Sequence, residues 1–129
     1  YTILNDVSAR DVQTAHKQWY FGKSLDGFPP IGPCIVTADA FSDYPPRLGI
    51  RSFVNGEKRQ DSNTALQIFD IDHVIAELSQ GMTLKAGTII ATGTPAGVGM
   101  GMDPPQFLKP GDVVRCEIDG IGTLTNPVR

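Results

Sequence analysis

Leu48-Gly49-Ile50-Arg51-Ser52-Phe53-Val54-Asn55-Gly56-Glu57-Lys58-Arg59-Gln60 is the stretch that decides the fold. Leu48, Ile50, Ser52 and Val54 alternate with Gly49, Arg51 and Phe53, which is the period of a strand. Asn55-Gly56 is a strong signal for a type I′ hairpin turn, because that turn needs positive φ at both central residues. The return strand is predicted at Glu57 to Gln60. A second hairpin closes the chain: Val113 to Ile118, the turn Asp119-Gly120, then Ile121 to Thr125. With 14 glycines and 10 prolines in 129 residues, turns are abundant. That composition favours a β-rich fold over a helical bundle.

Two helices are predicted among these strands. The first opens at Ser8, with Asp11 three residues on in the manner of a capping box, and runs to about Gln18. Val12, Ala15 and Trp19 form one stripe of it, with Arg10, Gln13 and Lys17 opposite. The second is marked by Ile71, Val74, Ile75 and Leu78 at i, i+3, i+4 and i+7, with Gly81 as its stop. Asp70 and Asp72 at its start suit the helix dipole. Further short strands are expected at Thr2–Asn5, Cys34–Thr37 and Thr88–Thr92, a long structured loop at Gly22–Pro33, and a turn at Ser42–Pro46. The class is α+β, β-rich.

The length fits one domain. Eleven basic against 14 acidic residues leave a net charge of −3, so there is no electrostatic reason to expect nucleic-acid binding. No apolar run approaches the ~20 residues of a membrane span, and no basic-then-apolar start marks a signal peptide. Cys34 and Cys116 are far apart, cannot form a zinc site alone, and are expected as buried reduced thiols. The chain opens at Tyr1 inside a strand-like run. This fits either a trimmed start or the loss of a whole upstream segment.

Nucleophile-elbow, Walker A, H-E-x-x-H and C-x-x-C signatures are missing, and Gly99-Met100-Gly101 is only a fragment of a dinucleotide fingerprint. Three stretches carry chemistry instead. In Asn5–Gln13, Asp6 lies where a strand end meets a helix start, a good place for a carboxylate to hold a hard cation. Arg10 and Gln13 share a helix face, and arginine offers a fork for a carboxylate. The plain reading is a turn aspartate and a solvated arginine. Lys23 lies in a glycine-flanked loop from which it could reach an oxyanion, or simply face solvent. In Ala91–Gly97, glycines allow close backbone approach and Thr94 brings a hydroxyl, though an ordinary tight turn would look the same. His73 falls off its helix stripe and should be solvated. His16 suits a helix end. Glu57 and Arg59 should be solvated beyond their turn, and Asp26 could orient Lys23 or close a turn.

Taken together, Asn-Asp-Val-Ser-Ala-Arg-Asp at 5–11, Gly-Lys-Ser at 22–24 and Ala-Thr-Gly-Thr-Pro-Ala-Gly-Val-Gly at 91–99 resemble the fumarylacetoacetate hydrolase family. Asp61–Thr64, Phe107–Asp112 and Gly120–Leu124 resemble it too, in order and over essentially the whole chain. The resemblance implies a mixed β-sandwich roll, a homodimer, and a divalent metal, Mg²⁺ or else Ca²⁺ or Mn²⁺. It implies Asp6 as a metal ligand and Lys23 as the catalytic lysine beside the developing oxyanion. Arg10 and Gln13 match substrate-facing positions, and Thr94 matches the contact to the substrate carboxylate.

The implied activity is metal-dependent cleavage of a C–C bond in a 2,4-diketo acid, as in aromatic or amino-acid catabolism. One alternative on the same site is an isomerase or decarboxylase of hydroxymuconate-type dioates or oxaloacetate. Another is a non-catalytic dimerisation or scaffold domain. A small keto acid is the expected partner, with no nucleic acid and no membrane. The expected location is the cytoplasm, or the mitochondrion in a eukaryote. One departure stands out. The family's Glu-x-Glu pair is missing: the only glutamates are Glu57, Glu77 and Glu117. The family's catalytic His and Glu lie upstream of these motifs as well. Residues 1–129 are therefore expected to be a single domain, the C-terminal part of a catalytic domain.

Overall fold

The computed structural model describes residues 1–15 and 17–129. The elements run β1 (Ile3–Leu4), α1 (Arg10–Ala15), α2 (Trp19–Gly22), β2 (Ile31–Gly32), β3 (Gly49–Val54), β4 (Glu57–Asn63), α3 (Ile71–Ser79), β5 (Val113–Ile118) and β6 (Gly122–Pro127). β1 and β2 form a two-stranded sheet, and the larger sheet has the order β4-β3-β5-β6. Every pairing is antiparallel. The small sheet lies against β5 and β6, and Ile3, Val114 and Ile121 are buried.

The first hairpin forms as its turn chemistry demands. Asn55 and Gly56 have φ of 52° and 85°, the two positive values a type I′ turn needs. β4 continues three residues beyond the predicted end. Its register is not uniform. Ser52 pairs with Gln60 but Phe53 pairs with Lys58, so Arg59 is the extra residue of a β-bulge. The bulge moves Gln60 across from Ser52, and this places the candidate site described below.

The Asn55 side chain ties this turn to the entry of β5. Its amide donates to Asp112 Oδ1 at 2.9 Å and its carbonyl accepts from the Val113 N–H at 2.9 Å. The Lys109 N–H donates to Asp112 Oδ2 at 3.0 Å. These bonds, the Asn55 amide first, hold the Asp112 carboxyl below the ordinary carboxylate range. Its folded pKa is lowered, so its contribution is complete above the unfolded value and is lost as pH falls through the folded one. Acid unfolding titrations should show Asp112→Asn losing less stability than wild type below the carboxylate range. Parallel acid limbs would refute this role.

Several predicted features differ from the structure. The first helix stops at Ala15 and a separate turn of helix begins at Trp19, because Lys17 takes a left-handed φ of 55° that no helix continues through. His16 lies outside the described residues. The expected stripe is not the buried one: Ala15 and Trp19 are exposed, while Gln13 is 2% exposed. Ser8 makes no capping box; its hydroxyl donates to the Asp6 carbonyl at 3.3 Å. The predicted strand at Cys34–Thr37 is displaced, since the β1 partner is Ile31–Gly32. Cys34 is exposed rather than buried, and Cys116 is half-buried.

Thr88–Thr92 forms no strand, because no described segment pairs with it; Ile89 is 58% exposed. α3 forms with Asp70 as its cap, accepting from the His73 N–H at 2.8 Å. Its apolar stripe is present, yet none of its residues is buried. His73 is exposed, as predicted, and stacks on Phe69. No described helix is long and apolar enough to cross a membrane. The chain exposes 8994 Å², against roughly 6,700 Å² for a folded monomer of its mass. Large apolar side chains such as Ile68 and Leu66, 93% and 74% exposed, contribute to that surplus.

Candidate active site

Asp6 follows β1, and Lys23 follows α2. The chain brings them together by folding α2 back on α1. The Ala9 N–H donates to the Gly22 carbonyl at 2.8 Å. A Cβ at Gly22 would lie 2.7 Å from Gln13 N and 2.9 Å from the Ala9 carbonyl oxygen. Only glycine permits this approach. The next residue, Lys23, then reaches Asp6 Oδ2 at 2.5 Å and Ser8 Oγ at 3.1 Å. Both charged side chains keep some solvent access, 27% for Lys23 and 36% for Asp6. Lys23 thus engages Asp6 and Ser8 rather than Asp26. The sequence reading missed Ser8, whose spacing of two from Asp6 was the available signal.

Arg10 and Gln13 form the second pair. Arg10 Nη1 donates to Gln13 Oε1 at 2.6 Å. That bond holds the guanidinium on α1, and among the described residues its other donors make no hydrogen bond, which suits them to an anion. Gln13 is buried because Gly22 packs directly on its backbone. A residue predicted on the polar face of a helix is therefore an internal support.

Thr94 belongs to a separate cluster. No hydrogen bond or ion pair among the described residues joins it to Asp6, Lys23, Arg10 or Gln13. Its hydroxyl accepts from Gln60 Nε2 at 2.9 Å, and Gln60 Nε2 also donates to the Pro95 carbonyl at 2.8 Å. Arg59, predicted to be solvated, is not: its side chain is 15% exposed, pairs with Glu57 at 3.2 Å, and donates to Met102 Sδ and Gln106 Oε1. The bulge explains the difference, because the extra residue turns inward over the 99–106 loop.

A divalent cation such as Mg²⁺ takes oxygen ligands. Asp6 is a single carboxylate with one oxygen engaged by Lys23, and the described residues hold no group of three or more His, Cys, Asp or Glu that could bind a metal. These residues alone do not fit an Mg²⁺ site, which needs further oxygen ligands.

The family model for the fumarylacetoacetate (FAA) hydrolase C-terminal domain matches residues 1–129. The chain belongs to the fumarylacetoacetate hydrolase family. It is 52% identical over 128 residues to oxaloacetate tautomerase YisK of Bacillus subtilis, covering 99% of this chain and 42% of that protein. Its fold matches the fumarylacetoacetate hydrolase of the psychrophile Exiguobacterium antarcticum with a TM-score of 0.95 and 54% identity, over 100% of this chain and 46% of that one. It matches the 2-hydroxyhepta-2,4-diene-1,7-dioate isomerase of Mycobacterium marinum with a TM-score of 0.85 and 48% identity, over 98% and 46% of the two chains. The chain thus spans less than half the length of these relatives. The α+β, β-rich class expected from the sequence is that of the family.

Proposed function

We propose that this chain is part of an enzyme that interconverts tautomers or double-bond isomers of a 2-keto dioate, with oxaloacetate as the first candidate. The observation that carries the reading is the 52% identity, over 99% of this chain, to a protein named oxaloacetate tautomerase. A solved isomerase of a related dioate supports it. The hydrolase expectation becomes the second reading, favoured by the hydrolase-named structure.

The side chains suit a dianionic keto acid. Arg10 forks onto one carboxylate and Thr94 donates to a carboxylate. Lys23 sits beside the carbonyl oxygen as it gains enolate charge. Tautomerisation moves a proton from C3 to the C2 oxygen and needs no C–C cleavage. A homodimer remains the proposed assembly, and exposed apolar side chains such as Leu66 and Ile68 are surface that a partner or the rest of the full-length protein would cover.

The test uses the full-length protein. Enol absorbance of oxaloacetate should relax to the keto–enol equilibrium faster with enzyme, while acylpyruvates persist. Acylpyruvate hydrolysis without oxaloacetate tautomerisation would reverse the two readings. For the 129-residue chain alone, calorimetric titration with Mg²⁺ should detect no micromolar binding, because Asp6 is engaged by Lys23 and belongs to no group of three or more potential ligands among the described residues. Micromolar affinity would disprove that account.

A further inference from the structure

Gln60 is absent from the residues that the motifs single out, yet it is the side chain on which Thr94 rests. Ser52 Oγ donates to Gln60 Oε1 at 2.8 Å. Gln60 Nε2 donates to Thr94 Oγ1 at 2.9 Å and to the Pro95 carbonyl at 2.8 Å. A carbonyl oxygen can only accept, so the Pro95 bond orients the amide with its NH₂ toward the loop. Thr94 Oγ1 must then accept from Gln60. Its own hydrogen is left free to be donated elsewhere.

The bulge makes this possible. Were the register to continue without the bulge, Arg59 would lie across from Ser52 and Gln60 would fall out of place. Gly97 completes the seat. At φ 104°, a Cβ there would lie 2.1 Å from the Arg59 carbonyl oxygen. Only glycine lets the 93–99 loop come down onto the bulge.

We infer that Gln60 is a positioning residue: the Ser52–Gln60 relay on the β3–β4 bulge holds the Thr94 hydroxyl as a dedicated hydrogen-bond donor for a substrate carboxylate. This deepens the proposed function and rests on its reading of Thr94. The relay acts on ground-state anion binding, so it sets KM and leaves kcat largely alone. It also makes Gln60 and Thr94 one unit rather than two contributors.

The test is a double-mutant cycle in the full-length protein. Gln60→Met is neutral and similar in size. It should raise KM for oxaloacetate by about 10-fold or more, the scale of a hydrogen bond to a charged group, with kcat within about 3-fold. Thr94→Val should do the same, and Gln60→Met added to it should change KM by less than about 2-fold. Ser52→Ala leaves Gln60 in place but frees its amide. It should raise KM in the same sense, and it keeps the cycle usable if Gln60→Met does not fold.

Oxalate is the probe for the anion subsite itself. Its dissociation constant, read by calorimetry, should follow KM through the series. If wild type binds oxalate but does not tautomerise oxaloacetate, the reaction assignment fails and the oxalate cycle still decides the relay. Unchanged oxalate affinity in both Gln60→Met and Ser52→Ala overturns the relay, as do multiplying effects of Gln60→Met and Thr94→Val. A wild-type protein that binds no oxalate overturns it as well.

Discussion

Lys23→Ala in the full-length protein is expected to lower kcat by about 10²-fold or more, with a much smaller change in KM. The ammonium lies 2.5 Å from Asp6 Oδ2 and 3.1 Å from Ser8 Oγ, so two partners fix a group that would otherwise swing on a four-carbon stem. Fixed positive charge lowers a barrier most where negative charge develops only on the way to the transition state. The enolate oxygen of a keto acid is such a place. The fold should survive the change, since a partly exposed ion pair contributes only up to about 1 kcal/mol. Steady-state kinetics beside a melting curve test both halves. A loss confined to KM would make Lys23 a ground-state binder. Lys23→Arg should not restore the rate, because the broad planar guanidinium does not reproduce a compact ammonium between Asp6 and Ser8.

Gly22→Ala is expected to be the most damaging single-methyl change at the Asp6–Lys23 pair. The added Cβ would meet Gln13 N at 2.7 Å, Gln13 Cα at 2.9 Å and the Ala9 carbonyl oxygen at 2.9 Å. All three are backbone atoms that no rotamer can move. Overpacking of this kind costs about 1–3 kcal/mol. The functional loss should exceed the loss of stability. Pushing α2 off α1 shifts Lys23 from Asp6 and uncovers Gln13, which supports Arg10. Thermal melts should show a lowered midpoint, and kcat should approach that of Lys23→Ala. Wild-type melting together with wild-type turnover would refute this role of the glycine.

How far the sequence could be read depends on how local each cause is. The Asn55-Gly56 turn follows from the φ preferences of two adjacent residues. The Asp70 cap and the stripe of α3 follow from spacings within one helix. The first hairpin was therefore legible, as was the family, whose motifs lie in order along the chain; the second forms as well, but around a three-residue turn, with its return strand at Gly122–Pro127 rather than Ile121–Thr125. Failure began where an element needed a partner. Thr88–Thr92 has the composition of a buried strand, but strand pairing depends on a neighbour, and none of the described segments supplies one.

At the site the division is sharper. The sequence alone pointed to Asp6, Arg10, Gln13, Lys23 and Thr94 as candidates, because residue type and motif context suffice to nominate a side chain. Tertiary structure decided what each one touches. Lys23 meets Asp6 across 17 positions, because glycine at 22 lets two short helices approach to backbone contact. Gln13 is internal for the same reason. Gln60 and Arg59 take their places from one unpaired residue in the β3–β4 ladder. Cross-strand register is a property of two strands at once, and the order of residues along either strand does not contain it.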